Sequence, residues 1–171
     1  MSTLFVDTLE PNQNTAITAA AGKLLPAGHV VQIQQGLMNA RVQVTTTSEY
    51  TIGNGFTVNI TPSSTSSKIL VMPMLTSIVR TTALINLYIY RDSTKVTTLG
   101  WYHGNSNWGA LLMGGNFLDS PSTTSQITYS CKFRVDSLGP SGGPYLNYNS
   151  VSLGGTNDDS RSSITAMEIA Q

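Results

Sequence analysis

The sequence predicts an all-β fold, a two-sheet jelly-roll sandwich from residue 28 onward. Three observations predict it. Apolar and polar residues alternate with period two over most of the chain, as half-buried strands require. Turn signals rich in Gly, Pro, Asn, Asp and Ser recur at short, regular spacing. The polar residues are hydroxyl and amide rather than charged: Ser and Thr total 42 and Asn 12, while charged residues make up 11%. Typical soluble domains carry about 25% charged residues, so the exposed strand faces are expected to be Thr-rich.

His29–Leu37 reads as the first strand, and Arg41–Thr51 alternates through Val42, Val44 and Thr46. Gly53-Asn54-Gly55 is a turn before Phe56, Val58 and Ile60. Ile60–Val71 then reads as a hairpin. Pro62 cannot donate to a ladder and stops one strand, the Ser/Thr run satisfies the turn with its own hydroxyls, and Lys68 leads into Ile69-Leu70-Val71. Ile69–Val79 and Leu84–Arg91 are long strands, and Arg91-Asp92-Ser93-Thr94 turns into Lys95–Trp101. Trp108–Asp119 is apolar and glycine-rich. Gln126–Val135 alternates cleanly, with Cys131 on the parity of Ile127, Tyr129, Phe133 and Val135, so the thiol is expected in the core. Tyr145–Ser150 and Ser163–Gln171 complete eight to ten short strands, with Ile164, Ala166 and Glu168 on one face of the last. Residues 1–27 differ in composition and read as an arm that packs on something other than itself; residues 28–171 form the domain.

Composition excludes several functions. Net charge is zero and the pI is near 6.7, without the basic footprint that nucleic acid demands. No apolar run reaches the roughly 18 residues of a membrane span, and no basic stretch leads into an apolar core as in a secretory signal. His29 and His103 have no partner at metal-ligand spacing, so no metal or cofactor is expected. Asp158-Asp159 has the chemistry of a Ca²⁺ or glycosidase pair, but a Gly-rich turn selects Asp for local reasons, and no enzyme is expected. Apolar and tyrosine side chains on Ile69–Val79 and Leu84–Tyr90 exceed what one core of this size accommodates, so burial between subunits is expected.

The candidate binding surface is the stretch Gly100–Trp108, read as an aromatic loop. No charged residue lies between Lys95 and Asp119. Trp101, Tyr102, His103, Asn105, Asn107 and Trp108 join apolar faces to polar handles, as ligands of sugar rings do. The alternative is that Trp101 and Trp108 plug the sandwich ends or a subunit axis. Tyr145, Asn147, Tyr148 and Asn149 form a second patch.

Four stretches resemble bacteriophage tail-fibre and related virion proteins of phages of marine bacteria and cyanobacteria. They are Ile60–Val71 (ITPSSTSSKILV), Asn116–Ser125 with the strand after it, the ending Ser162–Ala170, and the opening Phe5–Pro11. The resemblance implies a homotrimeric jelly roll, similar to C1q and tumour-necrosis-factor modules, carried on a phage particle. It implies a short tail-fibre or fibre-tip subunit contacting a host surface glycan or protein. Phe5, Val6, Asp7, Leu9 and Pro11 would belong to an attachment segment that docks on another virion protein. A capsid decoration protein and, more remotely, a glycan-degrading tailspike are the alternatives.

Overall fold

The computed structural model describes residues 27–53, 55–79, 83–103, 109–139, 142–147 and 161–171. Among these, two antiparallel sheets pack into a β-sandwich and no helix occurs. The strands are β1 (Val30–Leu37), β2 (Val42–Gln43), β3 (Tyr50–Thr51), β4 (Thr57–Ile60), β5 (Lys68–Val79) and β6 (Ala83–Arg91). They continue with β7 (Thr94–His103), β8 (Gly109–Gly114), β9 (Phe117–Asp119), β10 (Ile127–Val135), β11 (Tyr145–Leu146) and β12 (Ser163–Ile169).

The first sheet runs β1-β12-β5, with β11 and β2 continuing the β12 side of β5 and with β8 and β9 on its other side. The second runs β3-β10-β6-β7, with β4 beside β3 on β10. Strict alternation drives the packing. On β10, Ile127, Tyr129, Cys131, Phe133 and Val135 are all buried, as their shared parity predicts. They face Ile69, Val71, Leu75, Ile164 and Ala166 of the first sheet across one continuous core. Each such side chain contributes about 1.5–3 kcal/mol through the surface it removes from water. Burial also pushes the Cys131 thiol up, away from the reactive thiolate.

Two sequence expectations change. Ile60–Val71 is not a hairpin: β4 pairs with β10 in the second sheet, whereas β5 belongs to the first. The Pro-Ser-Thr run therefore carries the chain from one sheet to the other. It is also not self-sufficient. Ser66 and Ser67 bond back to Ser64, but Ser63 donates its backbone N–H and its hydroxyl to Glu168 Oε1, at 2.7 and 2.6 Å. Arg41–Thr51 is likewise not one strand. β2 pairs with β11 in the first sheet and β3 with β10 in the second. Between them Thr46 Oγ1 accepts the Ser48 N–H, a local bond that competes with the ladder and lets the chain switch sheets.

The sandwich edges come close where β1 passes β4. Gly36 lies so tightly against the Thr57 carbonyl that no Cβ fits there. At the β6–β7 turn Asp92 adopts φ 51°, a left-handed conformation that Asp tolerates.

Glu168 is fully buried. Burial raises its carboxyl, but bonds from Ser63, Gln32 and Ser67 lower it further, leaving it below its ordinary value of 4.5. A folded-state value below the unfolded one contributes stability that is complete above about 4.5 and is lost as the pH falls. Glu168→Ala strands the Ser63 and Gln32 donors and is expected to cost about 1–3 kcal/mol at neutral pH. In thermal melts the gap between wild type and Glu168→Gln should narrow as the pH drops below the ordinary carboxylate range. A pH-independent gap would remove Glu168 from this role.

Candidate functional site

The structure places part of the expected binding surface on a strand. β7 continues through Gly100–His103, pairing Trp101 with Ile85, Tyr102 with Leu84 and His103 with Ala83. Trp101 has the inward parity of Ile85 and packs half-buried against the core, so its indole helps close the sandwich. Asn105, Asn107 and Trp108 lie outside the described residues, as do Phe5, Val6, Asp7, Leu9 and Pro11 and the Asp158-Asp159 pair. In the second patch, Asn147 braces the backbone from a left-handed conformation (φ 54°). Its amide donates to the Met38 carbonyl at 3.2 Å and its carbonyl accepts the Ser162 N–H at 2.8 Å. Tyr148 and Asn149 lie outside the described residues.

The outer face of the second sheet carries a cluster that the sequence reading missed. Tyr88 and Tyr90 on β6, Lys95 on β7 and Lys132 on β10 surround Glu49, which precedes β3. Antiparallel register brings them together: Tyr88 lies opposite Lys132, and Tyr90 opposite Lys95. Glu49 accepts from Lys95 at 2.9 Å, from Lys132 at 3.2 Å and from the Tyr90 hydroxyl. The Lys95 ammonium stands 3.8 Å from the Tyr88 ring centre, and that of Lys132 stands 4.0 Å from the Tyr90 ring centre. The available signal was the pair Tyr88/Tyr90 read through the Asp92-Ser93 turn, which puts Lys95 beside Tyr90. The contribution of Lys132 and Glu49 depends on long-range pairing.

This cluster offers ammonium donors and tyrosine edges on a rigid sheet. Among the described residues no group of three His, Cys, Asp or Glu side chains converges as a metal site would. Burial raises the Glu49 carboxyl, but the bonds from Tyr90, Lys95 and Lys132 together outweigh it and hold the group at about 2. Lys95 is raised in turn, chiefly by its bond to Glu49.

No family model matches the chain, and no curated protein matches it. Among solved structures it is similar to a chain of infectious bursal disease virus, Gt strain, at 14% identity and TM-score 0.49, covering 96% of this chain and 38% of that one. A chain of the T13 particle of the same virus gives 15% and 0.45, covering 81% of this chain and 31% of that one. A chain of the Gx strain gives 16% and 0.45, covering 91% and 38%. The protein thus spans under two fifths of the length of the chains it matches. Likeness at this level concerns shape.

Followed by NMR, the Glu49 carboxyl is expected to titrate near 2 rather than 4.5. Tyr90→Phe removes one donor and should move that midpoint upward. A midpoint in the ordinary range in the wild type would mean that the cluster does not hold together in solution.

Proposed function

We propose that this chain is a bacteriophage virion structural protein: a homotrimeric short tail-fibre or fibre-tip subunit that contacts the host surface. In this reading residues 1–27 attach it to another virion protein. It carries no enzymatic activity and uses no cofactor. The observation that supports the reading is the resemblance of stretches spread along the chain to virion proteins of marine and cyanobacterial phages.

Three of those stretches meet at one place. In the first sheet Glu168 of the terminal stretch pairs with Ile69 of the Ile60–Val71 stretch, and Ile69 pairs with Asp119 of the third. Ser63 bonds Glu168, and Lys68 Nζ donates to Ser120 Oγ at 2.6 Å. Motifs that look separate in sequence form one structural junction. This suits a shared inherited scaffold better than coincidental composition. Host contact is assigned to the stretch from Tyr102 to Trp108, where Tyr102, His103, Asn105, Asn107 and Trp108 remain the candidate ligands of a surface glycan or protein.

Copy number on purified particles tests the proposal. Quantitative mass spectrometry is expected to find tens of copies or fewer per virion, with labelled antibody at the tail. Hundreds of copies, with label spread over the head, would replace the tail reading with capsid decoration. Absence from particles would end the virion reading altogether.

A further inference from the structure

The outer faces of the two sheets differ in kind. That of the second sheet carries Glu49, Lys95, Lys132 and Arg134 together with Tyr88 and Tyr90. On the first sheet, the outward positions of β1, β12, β5 and β9 line up through the register into one apolar row. Ile33 lies opposite Met167, Met167 opposite Leu70, and Leu70 opposite Leu118. Both ends of this row are open, with Ile33 55% and Leu118 52% exposed. Further along β5, Met74 and the 59% exposed Leu112 continue it. Between these lie uncharged Gln35, Thr165 and Thr76; the charged side chains of this face stand at its margins, Lys68 at the start of β5 and Arg41 over the outward Tyr145 ring of β11.

We infer that the outer face of the first sheet is the surface on which copies of this chain associate. The inference rests on the homotrimer reading above and names the surface that reading requires. A second copy is the occupant that fits. Around a threefold axis one part of this face meets a different part of the same face on the next copy, and without formal charge over its middle it meets no like-charge repulsion, whereas a charged partner would find nothing to pair with there. The size is adequate too. β1, β12, β5, β9 and β8 hold 8, 7, 12, 3 and 6 residues, and at about 3.3 by 4.8 Å each they project a face of about 570 Å², to which the standing side chains add. A standard interface uses about 800 Å² per partner, which a side-chain-covered face of that outline supplies. A monomer rarely leaves such a contiguous patch in water.

The test uses the full chain in sedimentation equilibrium. Ile33→Glu and Leu118→Glu, at the two ends of the row, are expected to weaken association by about 10- to 100-fold, the equivalent of one buried aliphatic side chain. Thr98→Glu, exposed on the second sheet, should leave it unchanged. Thiol labelling gives an independent reading, because the chain's own Cys131 is buried. In the assembled protein Gln35→Cys should react far more slowly than Thr98→Cys. A wild-type monomer at tens of micromolar overturns both this surface and the trimer. A trimer that survives both Glu variants, or equal labelling of the two cysteines, overturns the surface alone. A dimer lost in the Glu variants keeps the surface and removes the threefold stoichiometry.

Discussion

The fold turns on one cross-strand row on the inner face of the first sheet: Gln32, Glu168, Ile69 and Asp119. It places two carboxylates next to a hydrophobic core, where an unpaired charge is not tolerated. Each is therefore answered by donors from a different part of the chain. Glu168 takes Ser63 from the inter-sheet crossover and Gln32 from β1. Asp119 takes both of its Arg91 bonds from β6 and the Tyr129 hydroxyl from β10, at 2.6 Å, so it ties the two sheets together. Burial first, then the Asp119 carboxylate, pushes the Tyr129 phenol up, which keeps it a donor. The row also fixes register. A slip of one residue in β12 would turn Glu168 outward and drive Met167 into the core, losing the partners of both.

With register pinned, the sorting of faces follows. Once Glu168, Asp119 and Arg91 are engaged between the sheets, few charged residues remain for the surface of a chain this poor in them. Glu49, Lys95, Lys132 and Arg134 gather on the second sheet. The first sheet keeps an outer surface of Leu, Met, Ile, Thr and Gln, with Lys68 and Arg41 at its margins. The asymmetry arises from strand order, because β6, β7 and β10 carry Arg91, Lys95, Lys132 and Arg134 and all three belong to one sheet, whereas the strands of the first sheet carry Lys68 as their single cation.

Strand identity was legible in the sequence because period-two alternation is local. The core parity of Ile127–Val135, the Asp92-Ser93 turn and the inward set Ile164, Ala166 and Glu168 all follow from it. What local pattern does not carry is the partner of each strand. Ile60–Val71 has every sign of a hairpin, since Pro62 and the serines end one strand just before another begins. Only the pairing of β4 with β10 makes it a crossover. Arg41–Thr51 alternates without interruption, yet its halves serve different sheets. The Glu49 cluster was invisible for the same reason, because Lys132 reaches it through the β6–β10 register.

The same distinction governs what family-like motifs mean in this chain. Ser63, Lys68, Asp119, Ser120 and Glu168 belong to the stretches that resemble virion proteins, and all of them close the junction around Ile69. Residues under that constraint answer to buried charge and sheet register, not to a ligand, so the motifs mark a scaffold. A surface that recognises a host is free of the constraint and can vary while the scaffold persists. Trp101 shows where the boundary falls. Its inward parity commits it to packing against the core.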